Sequence, residues 1–221
     1  MSGWSRTEKA LLLLGLVAVD VWLLSKADSA VYQAWQGWVF QREVQGEPAS
    51  ASDFVAEKRQ QVEDWFAPGP PVLPAASPRV RPMPPAIPTD GVVGRLSIPR
   101  LRVNAIVREG VGEDTLRVAL GHIPSTALPG QLGNVAIAGH RDTLFRALRK
   151  IHQDDVIVFE TIEGKYAYRV QSTEIVEPTD VAVLRPGPSP ELTLITCYPF
   201  YYVGSAPERF IVKALAIPAR S

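Results

Sequence analysis

Few residues of this chain could bind a metal or form a covalent cross-link. The 221 residues include one cysteine and three histidines, so no internal disulfide can form and no cysteine pair is available for zinc. The formal net charge is +0, and such a balanced composition gives no attraction to nucleic acid. In an exported protein, one thiol without disulfides favours a reactive cysteine over a cross-linked scaffold. From these absences we expect no metal and no cofactor.

Residues 1–30 are predicted to anchor the chain in a membrane. Arg6 and Lys9 precede the apolar run Ala10–Leu24, which is shorter than the roughly 17–25 residues of a usual span. Asp20 interrupts this run and would cost about 2.5–3.5 kcal/mol at mid-bilayer. An uncleaved signal-anchor is the preferred interpretation, with a cleaved signal peptide and a core helix as alternatives. A single-pass anchor with its basic end inside would place the rest of the chain outside the cytoplasmic membrane.

Two further segments separate this anchor from the remainder of the chain. Residues 31–66 are predicted to form a helical stalk, with Ser52 as a possible N-cap for a helix over 52–66. The alternative is that this helix packs on the domain that follows or on a partner. Residues 67–90 contain nine prolines and are predicted to be an extended, semi-rigid linker.

Residues 91–217 are predicted to form an all-β domain. Alternation and turn residues predict short strands over 92–98, 101–107, 134–138, 155–160, 165–172 with an extension to 176, 191–197 and 208–216. Short helices are expected over 113–120 and after Asp142, which would act as an N-cap. Many short strands with few helices are typical of a closed barrel or a sandwich.

The single cysteine, Cys197, lies at the end of the predicted strand 191–197. Thr196 and Cys197 point to opposite faces of that strand, and Tyr198-Pro199 ends it because proline donates no ladder hydrogen bond. Taken alone, a lone cysteine is most often a small buried hydrophobe. Cys197 is instead a candidate nucleophile because a histidine and an arginine also lie near the ends of apolar strands.

That histidine is His140, which follows the apolar strand 134–138, and that arginine is Arg209, near the start of strand 208–216. His140 could exchange a proton with Cys197, and Arg209 could stabilise an oxyanion. Taken alone, Arg209 would more often be a surface arginine paired with a carboxylate. His122 precedes a turn, and we interpret it as a hydrogen-bonded loop histidine.

Three motifs resemble the sortase family, the cysteine transpeptidases of bacterial surfaces. Thr193-Leu-Ile-Thr-Cys197 resembles the TLxTC signature of the family, His140 its catalytic histidine and Arg209 its catalytic arginine. The contexts Gly139-His140-Arg141 and Cys197-Tyr-Pro-Phe200 are most similar to class D sortases. The resemblance covers about residues 91–217 and implies an eight-stranded sortase-type β-barrel with short helices, preceded by the N-terminal membrane helix and stalk.

The resemblance also implies a reaction. Cys197 would cleave an LPxTG-like sorting signal at the C-terminus of surface proteins and hold the acyl chain as a thioester. An amine on a cell-wall precursor or on another protein would then take the acyl chain. In the family, the connection that matches residues 176–190 contributes to recognition of the sorting signal. Calcium regulates part of the family, but no compact acidic cluster is visible here, so we expect no metal requirement.

Four residues beside these motifs are predicted to support the substrate or the site. They are Thr196, Arg141, Tyr198 and Pro199. Thr196 could stabilise the oxyanion region or simply pack as a β-branched strand residue. Arg141 is predicted to be a positioning residue, because adjacent strand residues face opposite ways and His140 needs the inward position.

Two other functions remain open at this point. A cysteine peptidase would use the same residues with water as the acceptor. A non-catalytic, extracytoplasmic peptide-binding barrel would bury Cys197 without using its thiol.

Overall fold

The computed structural model describes residues 6–65, 91–202 and 204–218. Two helices come first, α1 over Arg6–Gln45 and α2 over Ala51–Trp65. α1 passes position 30 without a break, so the segments predicted as anchor and stalk share one helix. Within the described residues, no helix has an apolar stretch that is long enough to cross a membrane, as the anchor predicted in residues 1–30 would need. The predicted proline-rich linker, residues 67–90, lies outside the described residues.

The second half of α1 packs against the β domain. The side-chain amide of Gln33 donates to Val118 O at 2.7 Å, and its carbonyl accepts from Ile106 N at 2.8 Å. Phe40 is only 2% exposed, and the guanidinium of Arg95 lies 5.3 Å from the centroid of its ring. These contacts make this part of α1 an outer layer of the folded domain.

α2 packs on α1 and begins one residue earlier than its predicted start. The Ser50 hydroxyl accepts a hydrogen bond from Asp53 N at 3.2 Å, which is the bond that an N-cap makes. The prediction of Ser52 as the cap is therefore wrong, because Ser52 lies within the first turn. The ring of Phe54 meets that of Trp35 edge-on at 5.1 Å, so an aromatic contact joins the two helices.

Eight strands close into a barrel, which confirms the predicted fold of the β domain. Their order around the barrel is β1-β2-β3-β4-β7-β8-β6-β5, and β5 pairs with β1 to close it. The β2–β3 and β4–β7 pairs are parallel and the others antiparallel. The strands are β1 Val92–Ile98, β2 Val103–Glu109, β3 Leu120–His122, β4 Asn134–Ala138, β5 Val156–Glu160, β6 Lys165–Val176, β7 Glu191–Tyr198 and β8 Glu208–Ala216. A short helix, α3, spans Glu113–Val118.

Strand β3 was missed by the sequence analysis because it has only three residues and no alternation. Gly121 lies at its centre, where a Cβ atom would come within 2.4 Å of Gly110 O. Only glycine permits this close approach of two backbone segments.

The helix predicted after Asp142 is also different. A 3₁₀ helix spans Arg146–Lys150, with Phe145 at its N-cap position and no side-chain cap, so the capping role predicted for Asp142 is wrong. Phe145 and Leu148 are fully buried, and their spacing of three residues matches the three residues per turn of a 3₁₀ helix.

Candidate active site

The parallel pairing of β4 and β7 relates the position of His140 to that of Cys197. Ala138 is opposite Ile195 in this pair, and Gly139 N continues the ladder by donating to Ile195 O at 3.1 Å. His140 and Cys197 each come two residues after this pair. In a parallel ladder, such positions remain side by side and project from the same face.

The antiparallel pairing of β7 and β8 places Arg209 on the other side of the cysteine. Cys197 is directly opposite Arg209 in this register. Directly opposed residues on antiparallel strands have Cβ atoms about 4.5–5.5 Å apart on one face of the sheet. Cys197 and Arg209 are therefore neighbours across β7 and β8, and His140 follows the end of β4, the strand on the other side of β7.

The alternation along β7 decides which side of the barrel wall carries these residues. Leu194 and Thr196 are buried at 0% and 2% exposure, and Leu194 is part of the barrel core. Ile195 and Cys197 take the opposite face and are only partly buried. Cys197 thus has a free thiol on the outer face of the wall, where a substrate can reach it.

The side chains of Cys197, His140 and Arg209 form no hydrogen bonds or ion pairs with one another. Within the described residues, neither Cys197 Sγ nor the ring of His140 makes a side-chain hydrogen bond, and no carboxylate pairs with Arg209. The Nη1 atom of Arg209 donates to Ala206 O at 3.3 Å and to Glu208 O at 3.0 Å. These two bonds hold the guanidinium near Cys197 while leaving other N–H groups free to bind a substrate oxygen.

Thr196 connects the nucleophile strand to the histidine loop. Its hydroxyl donates to Gly139 O at 2.7 Å, and the side chain is almost fully buried. Gly139 immediately precedes His140, so this bond fixes the peptide from which the histidine projects. Thr196 packs in the wall and also supports the site through this hydroxyl.

Arg141 holds the loop between β7 and β8. Its Nη2 atom donates to Tyr202 O at 2.7 Å and to Gly204 O at 2.9 Å. Because this loop follows Cys197 directly, Arg141 ties the chain after the histidine to the chain after the nucleophile.

Tyr198 is the last residue of β7 and Pro199 starts the same loop, and Tyr198 belongs to an aromatic cluster. Its ring lies 6.0 Å from that of Phe200 and 6.3 Å from that of Phe210, and Phe200 and Phe210 pack against the barrel core. Tyr201 is 76% exposed. Tyr202 is also exposed, at 48%, so the loop covers the barrel with some aromatics and presents two at its surface.

His122 is hydrogen-bonded, as expected, but it is buried in strand β3, so the prediction of a loop position is wrong. It is 2% exposed, with Nδ1 2.7 Å from Glu109 Oε2 and Nε2 3.0 Å from Ala127 O. It lies opposite Ile137, three residues before His140, so it is set back from the edge that carries Cys197.

A buried polar group that the sequence analysis missed lies on the same outer face. We call it the Lys213 latch, and it consists of Asn134, Thr193, Lys213 and the carbonyl of Val183. The sequence feature that indicated this group is a lysine among the apolar residues of strand β8. Lys213 lies on the same face of β8 as Ile211, which is only 1% exposed. Buried outer-face residues mean that a segment covers that face, which here is the connection between β6 and β7.

The described residues contain no group of three or more histidine, cysteine or acidic side chains that could hold a metal ion. The candidate site thus combines a free thiol, the guanidinium of the residue opposite it and an imidazole just beyond the end of β4. Such a set can form and resolve a covalent acyl intermediate.

Comparison with known proteins shows which family the chain is similar to. A family model described as Sortase domain matches residues 96–217. The chain is 34% identical over 125 residues to Sortase D of Bacillus subtilis (strain 168), a match that covers 56% of this chain and 63% of that protein. The chain thus spans less than two thirds of the length of this relative.

Solved structures share the fold. Sortase A from Corynebacterium diphtheriae is similar at a TM-score of 0.56 and 31% identity, over 59% of this chain and 63% of that one. A Clostridium perfringens Sortase D5 transpeptidase is similar at a TM-score of 0.58 and 24% identity, over 81% of this chain and 94% of that one.

Proposed function

This chain belongs to the sortase family of cysteine transpeptidases, and we propose that it is itself such an enzyme with Cys197 as its nucleophile. The observation that carries this proposal is the strand register. It sets Cys197 of β7 opposite Arg209 of β8, and His140 follows two residues after the last β4–β7 pair, Ala138 and Ile195. A peptide laid along the outer face of the wall would meet all three side chains at once.

In the first half of the proposed reaction, a peptide bond is exchanged for a thioester. Cys197 Sγ attacks the carbonyl carbon between the Thr and the next residue of an LPxTG-like sorting signal. Arg209 donates N–H groups to the oxyanion of the tetrahedral intermediate. His140 takes the proton of the Cys197 thiol and gives it to the departing amine as the C–N bond breaks, and the acyl chain remains on sulfur.

In the second half, an amine on a cell-wall precursor or on another protein attacks the thioester carbonyl. His140 takes the proton of this amine, the C–S bond breaks and a new amide bond forms. Cys197 is released as the thiol or thiolate. The same two residues therefore serve both halves, and the enzyme returns to its starting state without a cofactor.

A groove for the sorting signal is supported by the residues just before the site. Ala138 comes two residues before His140, and Ile195 comes two residues before Cys197. These two residues pair with each other on the outer face of the wall. These apolar side chains would form a floor for the apolar part of the signal. The β6–β7 connection, residues 177–190, lies beside this floor through Val183 and would form one wall.

The proposal is tested by the intact mass of the protein after it is mixed with LPxTG-like peptides. We expect an acyl adduct that hydroxylamine and a peptide amine both release, and that Cys197→Ala does not form. Release by water alone, with no amine product, would instead support a cysteine peptidase. A folded protein that forms no adduct with any such peptide, and whose thiol resists alkylation, would support the non-catalytic peptide-binding barrel.

We also propose that the β domain works outside the cytoplasmic membrane, held by residues 1–30 in a single pass. Membership of a family of surface enzymes supports this location. Carbonate extraction of membranes tests it, because an inserted anchor stays in the pellet whereas a peripheral protein is released.

A further inference from the structure

Lys213 occupies an unusual place for a lysine in a strand. It faces outward on β8, opposite Thr193 of β7, and lies four residues after Arg209 on the same face. Most strand lysines at such positions extend into solvent. Lys213 is instead partly buried, and Thr193 beside it is fully buried. Burial lowers the pKa of Lys213, partly offset by the charges of nearby carboxylates, so the chain accepts a desolvation cost at this position.

The contacts of the latch join three strands to one carbonyl. Lys213 Nζ donates to Val183 O, and also to Thr193 Oγ1 at 3.1 Å. Thr193 Oγ1 donates to Asn134 Oδ1 at 2.7 Å, and Asn134 Nδ2 donates to Val183 O at 3.0 Å. Asn134, Thr193 and Lys213 belong to β4, β7 and β8, the strands near whose ends the three site residues lie.

Val183 lies in the 3₁₀ helix Val181–Leu184 at the middle of the β6–β7 connection. A cation is favourable at this position because carbonyls in the last turn of a helix lack intrahelical partners. Within the described residues, the bonds from Asn134 and Lys213 are the side-chain hydrogen bonds that join residues 177–190 to the barrel wall. The other bonds of the helix are local, such as that from Ala182 N to Asp180 Oδ1.

We propose that Lys213 is a positioning residue that fixes the β6–β7 connection as a wall of the sorting-signal groove. This inference rests on the proposed function. Lys213 touches neither the thiol nor the imidazole. It acts through Val183, and it orders the wall before the peptide arrives, which lowers the entropic cost of binding. Loss of this contact would weaken donor binding and leave the chemistry at Cys197 intact.

The test compares Lys213→Met, which keeps the length and apolar stem, with the control Lys165→Met. Lys165 is an exposed lysine of β6 that forms an ion pair with Glu160 of β5 at 3.0 Å. For Lys213→Met we expect KM for the donor peptide to rise about tenfold, the effect of losing one charged hydrogen bond. The kcat and the rate of Cys197 alkylation by iodoacetamide should change less than about twofold, as should KM for the acceptor amine.

Two further variants separate positioning from general stability. Thr193→Val removes one partner of Lys213 and should raise the donor KM by itself, while adding little to the effect of Lys213→Met. Lys213→Arg keeps a donor for Val183 and should restore part of the affinity. An unchanged donor KM in Lys213→Met, or an equal loss of kcat, alkylation rate and thermal midpoint, would overturn the proposal.

Hydrogen exchange tests the latch without a substrate. In Lys213→Met, the amides of residues 181–185 should exchange faster, while those of β7 and β8 keep their protection. If no peptide ever acylates Cys197, the proposed function fails, and this exchange result still decides whether Lys213 orders the connection. Unchanged exchange over 181–185 would refute the ordering role.

Discussion

Replacement of Arg209 by lysine tests whether the site needs the planar guanidinium group or only a positive charge. The arginine is directly opposite Cys197 in the β7–β8 ladder, and backbone carbonyls of Ala206 and Glu208 orient its Nη1 atom. A lysine at this position keeps a charge but cannot bond to these carbonyls and to an oxyanion in the same planar arrangement. Loss of one oxyanion donor costs about 2.7–4 kcal/mol in the transition state, which corresponds to a rate about 10²–10³-fold lower.

The assay is single-turnover acylation of Cys197, followed by intact mass at saturating donor peptide. Arg209→Lys should acylate about 10²–10³-fold more slowly and unfold at nearly the original temperature. Arg169→Lys is the matched control, because Arg169 is a half-exposed strand arginine that lies 3.7 Å from Asp154, away from the site. Acylation within about threefold of the original rate would refute the oxyanion role, as would a loss of rate that follows a large drop in the thermal midpoint.

The remaining predictions concern the proton carrier, the buried threonine, a buried phenol and metals. His140→Ala should slow both acylation and transfer in stopped-time mass assays, whereas His152→Ala should change neither; equal rates in the two variants would contradict the role of His140. Thr196→Val leaves Gly139 O without its partner, so urea unfolding should show a loss of about 1–3 kcal/mol together with slower acylation, and full activity would exclude the supporting role. Burial raises the pKa of Tyr168 to about 12, so the folded state keeps a proton that the unfolded chain releases above pH 10. The free energy of unfolding should therefore fall by up to about 3 kcal/mol between pH 10 and pH 12. In Tyr168→Phe this part of the decline should vanish. A chelator should leave acyl transfer unchanged, and an abolished reaction would show a metal requirement.

Local patterns predicted the strands that alternate over several residues. β1, β4 and β8 have the predicted bounds. β1 and β8 each turn one face into the core, which only one register can satisfy, whereas β4 is a short apolar run that is buried on both faces. β3 could not be predicted, since three residues with glycine at the centre carry no period. Its existence depends on parallel pairing with β2, a long-range contact.

The prediction of the candidate site depended on locating strand ends. His140, Cys197 and Arg209 were chosen because each lies near the end of an apolar strand, and the barrel order makes β4, β7 and β8 neighbours. The Lys213 latch could not be found in this way. Its partner is a backbone carbonyl in an irregular connection, and no sequence pattern indicates which strand face such a connection covers.

One hydrogen-bonded ladder positions both the chemistry and the proposed groove wall. Along β8, Arg209 and Lys213 face outward with Cys197 and Thr193 as their partners, while Val212 between them fills the core at 0% exposure. A slip of one residue between β7 and β8 would turn Arg209 and Lys213 into the core and Val212 toward solvent. The burial of two charges without partners is far too costly to occur, so the core packing that selects the barrel register also fixes the arginine beside the thiol and the lysine beneath Val183.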